Sequence, residues 1–398
     1  MKKLAYLLSL VMIFAIPWEN SVLVRDVGTI SRAIGLLLAA VWVAAVVMHG
    51  TMRRLGLFHG LAIAFVTWNA LSVFWTIHPP ATVQWVWTYV QLLILAFLLW
   101  DLYDTTPAIR AALQAYVLGA YVAIASLLLS FVSGTGMSFS KRYTVEGFNA
   151  DTAGLLLAIG MPMAWTLALV HSIRGRGRVL RWMNFAYLPL AFFGIALTGT
   201  RTALLTTFPA VLFAIASLTR LRPRQRLAIG LAAVIGFAVI VPFVPQPSVE
   251  RLLTTGSEIS GGTLGGRGRI WQAGLRAFGQ RPILGVGAGA FEAAIGIGKV
   301  AHNTFISVLV ELGIVGATIF YTLVAYTFGQ ALRHPAWGAR FWVTLLSIWA
   351  LGASSLTWEN KKITWLVLTL AAASAAVRAD SVRRRGAPRD GLDIRGSR

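Results

Sequence analysis

The side chains able to do chemistry in this chain are one histidine and a set of arginines, crowded into a few short stretches. His302-Asn303 stands directly before a long apolar run, and the segment RGRIWQAGLRAFGQ supplies Arg267, Arg269 and Arg276. Arg142 precedes another apolar run, and Arg201 stands between two of them. Arginine stays charged and grips a phosphate through a planar fork of N–H donors. A histidine at the start of a helix faces unpaired backbone N–H groups, and that positive end favours the neutral, proton-accepting imidazole. These residue types suit an anion-binding site beside a base of near-neutral pKa. The plainer readings are an interfacial histidine and solvated loop arginines. Glu311 lies nine residues beyond His302, about 14 Å deeper along a helix of 1.5 Å rise. A carboxylate at that depth is either functional or paired with an arginine.

Other chemistries find no support. The absence of cysteine excludes disulfides, thiolate metal sites and cysteine nucleophiles. The six histidines (His49, His59, His78, His171, His302 and His334) have no metal-ligand spacing. There is no paired-aspartate sugar-nucleotide motif and no Gly-Lys-Ser/Thr phosphate loop. The net charge of +21 sits in short loops between apolar runs and forms no basic domain, which argues against nucleic acid as a partner.

The elements that must position these residues are membrane helices. The chain has 398 residues, 57% of them hydrophobic and 12% charged, with a mean hydropathy of +0.72. A soluble domain carries about 25% charge, so lipid must cover much of this surface. Runs long enough to span, roughly 20 residues each, fall at 3–17, 31–49, 55–77, 83–101, 112–133, 152–171, 182–199, 202–219, 227–245, 303–328, 341–358 and 361–378. The expected fold is an all-α polytopic membrane protein of about twelve helices, with 1–378 as one transmembrane domain. The first run lacks a small-residue cleavage site and reads as a retained helix. Tryptophans near span ends, such as Trp18, Trp75, Trp85, Trp87, Trp100, Trp182, Trp358 and Trp365, are placed as interface anchors.

Placing both termini inside puts 22 of the 35 basic residues on the cytoplasmic side. The basic tail, 379–398, reads as a disordered cytoplasmic end. Thirteen basic residues then face outward against the bias: Arg25, Arg32, Lys141, Arg142, Arg201, Arg251, Arg267, Arg269, Arg276, Arg281, Lys299, Lys361 and Lys362. Anion binding would explain them, although a long loop also translocates regardless of charge. Two outward segments are long, 134–151 and the glycine-rich 246–302 between spans nine and ten. Within the second, Arg269, Gln272, Arg276 and Gln280 recur at helical spacing opposite Ile270, Trp271, Gly274, Leu275 and Phe278. The spacing predicts an amphipathic helix on the bilayer surface, with Arg269 and Arg276 either solvated or turned toward a phosphate.

Four pieces in order resemble the O-antigen ligase and polymerase superfamily of bacterial membrane glycosyltransferases. They are EGFNADTAGLLLAIGMP, with Arg142 before it and Asn149 within it; LTGTRTALL with Arg201; GGRGRIWQAGLRAFGQRPILGVGAGAF; and HNTFISVLVELG, with His302, Asn303 and Gly313 in the ligase pattern and Ile306 where leucine is usual. The resemblance implies transfer of O-antigen from undecaprenyl pyrophosphate to a sugar hydroxyl of lipid A-core. It would take place at the periplasmic face of a Gram-negative inner membrane, with both termini cytoplasmic. It implies His302 as general base with Arg201 and Arg269 on the pyrophosphate. Arg142, Arg267, Arg276, Asn303 and Asn149 would be substrate-binding, with Glu311 in support. A pyrophosphate leaves readily, so no cofactor, metal or ATP is expected, and one-step displacement would invert the anomeric centre. A polymerase extending glycan on its carrier is the alternative within the superfamily. A lipid-linked glycan flippase is the alternative outside it.

Overall fold

The computed structural model describes residues 1–134, 142–174, 177–254 and 266–386. Its helices are α1 (Lys2–Ala15), α2 (Ile30–His49), α3 (Leu57–Leu71), α4 (Pro79–Leu102), α5 (Thr106–Ser133), α6 (Ala150–Arg174), α7 (Arg178–Thr198), α8 (Arg201–Ser217), α9 (Pro223–Ile240), α10 (Gln246–Leu253), α11 (Arg267–Gln280), α12 (Phe291–Ile295), α13 (Thr304–Leu332), α14 (Ala336–Ala353) and α15 (Lys362–Gly386). A two-stranded hairpin, β1 (Leu23–Val24) with β2 (Gly28–Thr29), is the sheet found among the described residues. The chain is an all-α polytopic membrane protein, and each of the twelve expected spans is a helix.

Among the described residues, eleven helices are long and apolar enough to cross a membrane. The expected span at 341–358 is α14, a helix of 18 residues made less apolar by Arg340 and three tryptophans, Trp337, Trp342 and Trp349. Local sequence sets the helix ends. Thr105 caps α5 by accepting from the Ala108 N–H at 3.3 Å, and Pro107 follows where no donor is needed. Gly134 ends that helix at φ +66°. Helix α6 is the hub: the apolar window of its span is 89% buried, against 0% for α9 at the periphery. Tyr116 of α5 and Tyr187 of α7 donate to its Leu156 and Leu157 carbonyls at 3.0 and 2.9 Å.

The disordered tail expected from residue 379 needs correction at its start. Helix α15 runs on to Gly386, and Asp380 on its extension lies 3.6 Å from Arg53. Alanine and arginine are good helix formers, so the helix outlasts its apolar stretch. Residues 387–398 lie outside the described residues. The long loop 246–302 resolves into α10, α11, α12 and tight turns, with 255–265 outside the described residues.

The feature that shapes the site end is a break in α13. Gly313 adopts φ +65°, ψ −170°, interrupting the helix. The glycine turn 282–289 folds into that break. Val286 N–H donates to Val310 O at 3.1 Å, Gly287 N–H to Glu311 O at 2.8 Å, and Ile314 N–H to Pro282 O at 2.8 Å. Non-helical backbone at membrane depth survives only where protein satisfies it, and here the broken helix and the turn satisfy each other. The Glu311 carboxylate completes the join, accepting from Gly289 N–H at 2.8 Å and Phe291 N–H at 3.3 Å. Its hydrogen-bond partners among the described residues are thus backbone donors.

Glu311→Leu strands two buried N–H groups, each worth about 1–3 kcal/mol when left unpaired. We expect the variant to lose about 2–4 kcal/mol of stability, read as a clear fall in melting temperature of the detergent-purified protein. Glu311→Gln, which keeps one acceptor oxygen, should fall about half as far. Unchanged melting of Glu311→Leu would show that the turn is held elsewhere.

Candidate functional site

The four quoted segments meet at one end of the bundle, around a carboxylate. Asp151 stands in the first turn of α6, where free N–H groups favour an anion. Arg142 Nη2 lies 2.5 Å from its Oδ1 and Arg267 Nη2 3.3 Å from its Oδ2. Arg142 is buried, its Nε donating to Thr198 O at 2.7 Å and its Nη2 also to Thr200 Oγ1 at 2.6 Å. The Thr200 hydroxyl lies 3.0 Å from Ala150 O and 3.4 Å from Asp151 Oδ1. One guanidinium therefore fastens the α7–α8 turn to the start of α6.

Arg201 follows Thr200 at the first position of α8. Its Nε donates to Arg251 O at 2.9 Å and its Nη2 to Thr254 Oγ1 at 2.7 Å. It thus holds α10 against the cluster, bringing the Arg251 charge within electrostatic reach of Asp151. Arg142, Arg267 and Arg251 act on one carboxylate, with Arg201 adjoining, so the cluster keeps a net positive charge.

His302 enters from the other side. Its backbone sits at φ +46°, a conformation costly for any residue with a Cβ and found where a fold holds a functional side chain in place. Three hydrogen bonds on the flanking residues hold it there. Trp271 Nε1 of α11 donates to Ala301 O at 3.0 Å. Asn303 Oδ1 accepts from Phe305 and Ile306 N–H at 2.9 and 3.1 Å, capping α13. Burial holds the His302 imidazole below its ordinary pKa. The Arg267 charge pushes the same way, Asp151 opposes, and Lys299 adds to the lowering. The net lowering favours the neutral form of the imidazole.

Of the residues singled out from sequence, Arg142, Arg267 and His302 share this neighbourhood, with Arg201 adjoining. Arg269 and Arg276 do not share it. Both are exposed on the face of α11 opposite Ile270, Gly274 and Ala277, which are buried against the bundle. The helix period of 3.6 fixes this: Arg267, at the first turn, points along the buried side, and a residue two positions on is turned by about 200°. Arg267, and not Arg269, is the arginine of this helix that meets Asp151. Asn149 is the exposed cap of α6, its Oδ1 accepting from Thr152 N–H at 2.7 Å. Asn149 and Asn303 both serve as helix caps, and Glu311 anchors the glycine turn.

Asp151 is the residue that sequence reasoning missed. It lies inside the quoted segment EGFNADTAG, where Asn149 took the attention. The available signal was its isolation, a carboxylate at a span's start within a cation-rich face. No metal-holding group of three or more His, Asp or Glu occurs among the described residues. None of three cavities in the fold, about 470, 910 and 410 Å³, is lined by Arg142, Asp151, Arg267 or His302. The cluster is packed on itself here.

Comparison with known proteins bears out the resemblance. Residues 185–321 match the family model described as O-Antigen ligase, which takes in Arg201, Arg251, Arg267, His302 and Glu311. The chain is also 27% identical over 296 residues to the exopolysaccharide production protein ExoQ of Rhizobium meliloti (strain 1021), a match covering 68% of this chain. The aligned region spans 65% of that relative's length.

Arg267→Gln removes a charge that lowers the His302 pKa, so the histidine should titrate at higher pH than in the unaltered protein. Asp151→Asn removes an influence that raises it, and should move the titration lower. Histidine 15N resonances followed against pH, with His302→Ala for assignment, read both shifts. A His302 titration that moves in neither variant would place Arg267 and Asp151 out of reach of it.

Proposed function

Proceeding from that family match, we propose that this chain transfers a glycan from a lipid pyrophosphate to an acceptor hydroxyl, as an O-antigen ligase. The observation carrying the reading is the gathering of Arg142, Arg251 and Arg267 about Asp151, with Arg201 adjoining and the half-buried His302 beside them. A diphosphate is the ligand such a set of cations suits. It would take Asp151's place on Arg267, the looser of its two ion pairs.

The bond from the anomeric carbon to the pyrophosphate oxygen breaks, and its electron pair stays on the pyrophosphate. The acceptor oxygen bonds to the same carbon, and its proton passes to His302. Guanidinium groups fixed before the reaction stabilise charge growing on the leaving group, and losing one such group typically costs about 10²–10³ in rate. The donor would be undecaprenyl pyrophosphate-linked O-antigen and the acceptor lipid A-core. The reaction would occur at the periplasmic face of the inner membrane, with both termini cytoplasmic.

A second reading has its own support. The relative's name speaks of exopolysaccharide production, which fits polymerisation of repeats on the carrier better than ligation to lipid A-core.

Purified protein with carrier-linked glycan and acceptor tests the reading. His302→Ala and Arg267→Ala should each lose about 10²-fold or more of transfer, while Arg269→Ala stays within a few-fold. Full activity of His302→Ala would remove the base assignment, and loss confined to Arg269→Ala would return the phosphate site to the exposed face of α11. Deletion in the native host separates the activities: bare core with accumulated carrier-linked polymer indicates a ligase, and single-repeat product a polymerase.

A further inference from the structure

Three cations that face against the topological bias, Arg32, Lys361 and Lys362, do not join the Asp151 cluster. They line a separate cavity of about 410 Å³ at the same end of the bundle, between α1, α2 and α4 and beneath the loop before α15. One carboxylate, Glu19, shares it, bonded to Lys362 Nζ at 2.7 Å and to the Ser31 hydroxyl. The cavity stays net positive. Its polar lining continues down α4 as Gln84, Thr88 and Gln91, one helical face at spacings of four and three. That stripe is about 10 Å long and ends about 18 Å below the start of α4. Polar side chains so deep in a span are costly and mark a site when they face a cavity. Trp85 forms part of the wall, and Asn360 Oδ1 is shielded there without a hydrogen-bond partner among the described residues. Below the stripe the lining turns apolar, with Leu36, Leu38, Ala39, Leu92, Ile94 and Leu95. Leu36 and Ile94 are exposed on the bundle's flank, where lipid would lie.

Three contacts, two hydrogen-bonded and one of close packing, tie this cavity to the Asp151 and His302 segments. Asn20 Nδ2 donates to Gly147 O at 3.1 Å, in the loop after Arg142. Trp85 packs on Gly289 so closely that a Cβ there would lie 2.4 Å from its ring, and Gly289 is the residue Glu311 holds. Thr304, next to the His302-Asn303 pair, donates to Leu356 O at 2.9 Å and accepts from Trp358 N–H at 2.7 Å, in the loop leading to Asn360.

We propose that this cavity seats the anionic saccharide head of a second, lipid-anchored substrate, with the lipid chain leaving between α2 and α4. Cations take the phosphate or carboxylate, amides and the indole ring take the sugar, and the apolar lower half takes the start of the chain. The inference rests on the transfer reading, because a transferase must hold two substrates and the Asp151 cluster suits only the diphosphate of one.

The test is binding to full-length protein in nanodiscs, with a bis-phosphorylated, acylated diglucosamine as probe. Arg32→Gln combined with Lys361→Gln should weaken binding about tenfold or more, and Gln91→Leu, a change a membrane helix tolerates, several-fold. The dephosphorylated probe should bind the unaltered protein about as weakly as the probe binds the double variant. Equal affinity of variants and unaltered protein at unchanged melting temperature overturns the proposal. So does equal binding of phosphatidylglycerol, which would show a headgroup site with no sugar recognition, or equal binding of inorganic phosphate, which would show no use of the chain. His302→Ala should bind the probe normally. The failure of the transfer mechanism and the failure of this site are thereby read separately.

Discussion

Four guanidinium groups brought to one end of a membrane bundle repel one another, and a single carboxylate makes their gathering possible. Asp151 takes Arg142 on one oxygen and Arg267 on the other. Those two arginines come from segments 125 residues apart in sequence. Through Thr200 the same network fixes the turn from which Arg201 reaches α10. Asp151 in turn depends on α6, the most enclosed of the spans, whose first turn offers free backbone donors. The hub of the fold and the hub of the charge cluster are therefore one helix.

The second half of the site depends on a broken helix. Were α13 continuous past Gly313, its carbonyls and N–H groups would be internally paired and the glycine turn would find no partners. The break frees them, and the turn at 282–289 fills the gap with its own backbone. Gly285 and Gly313 tolerate the positive φ and the close approach that this requires. With the turn seated, α11 is held over the site, and Trp271 restrains the backbone at Ala301, one residue before His302. Asn303 then sets the first turn of α13. The strained backbone at His302 lies between these two restraints and cannot relax without breaking one.

The all-helical fold and the approximate spans were legible in the sequence, because they follow from runs of apolar residues. Placement of the cations was less so. Arg269 and Arg276 share a helix face by spacing, but spacing does not say which face meets the bundle. Ile270, Gly274 and Ala277 decide that, and they turn Arg267 inward. Nor did spacing show that Arg32 would meet the adjacent pair Lys361 and Lys362, since α2 and the start of α15 are far apart in sequence.

The sequence by itself determined that this is a multi-pass helical membrane protein and marked arginines and a histidine at span ends as its candidate site. Hydrophobic run length and residue type are local properties, and a membrane reads them locally. Only the tertiary structure decided that Asp151 organises the arginines, that Glu311 binds backbone and not arginine, and that the asparagines cap helices. Each of those depends on which backbone or side chain lies opposite across a helix contact, and one-dimensional spacing carries no information about what packs across it.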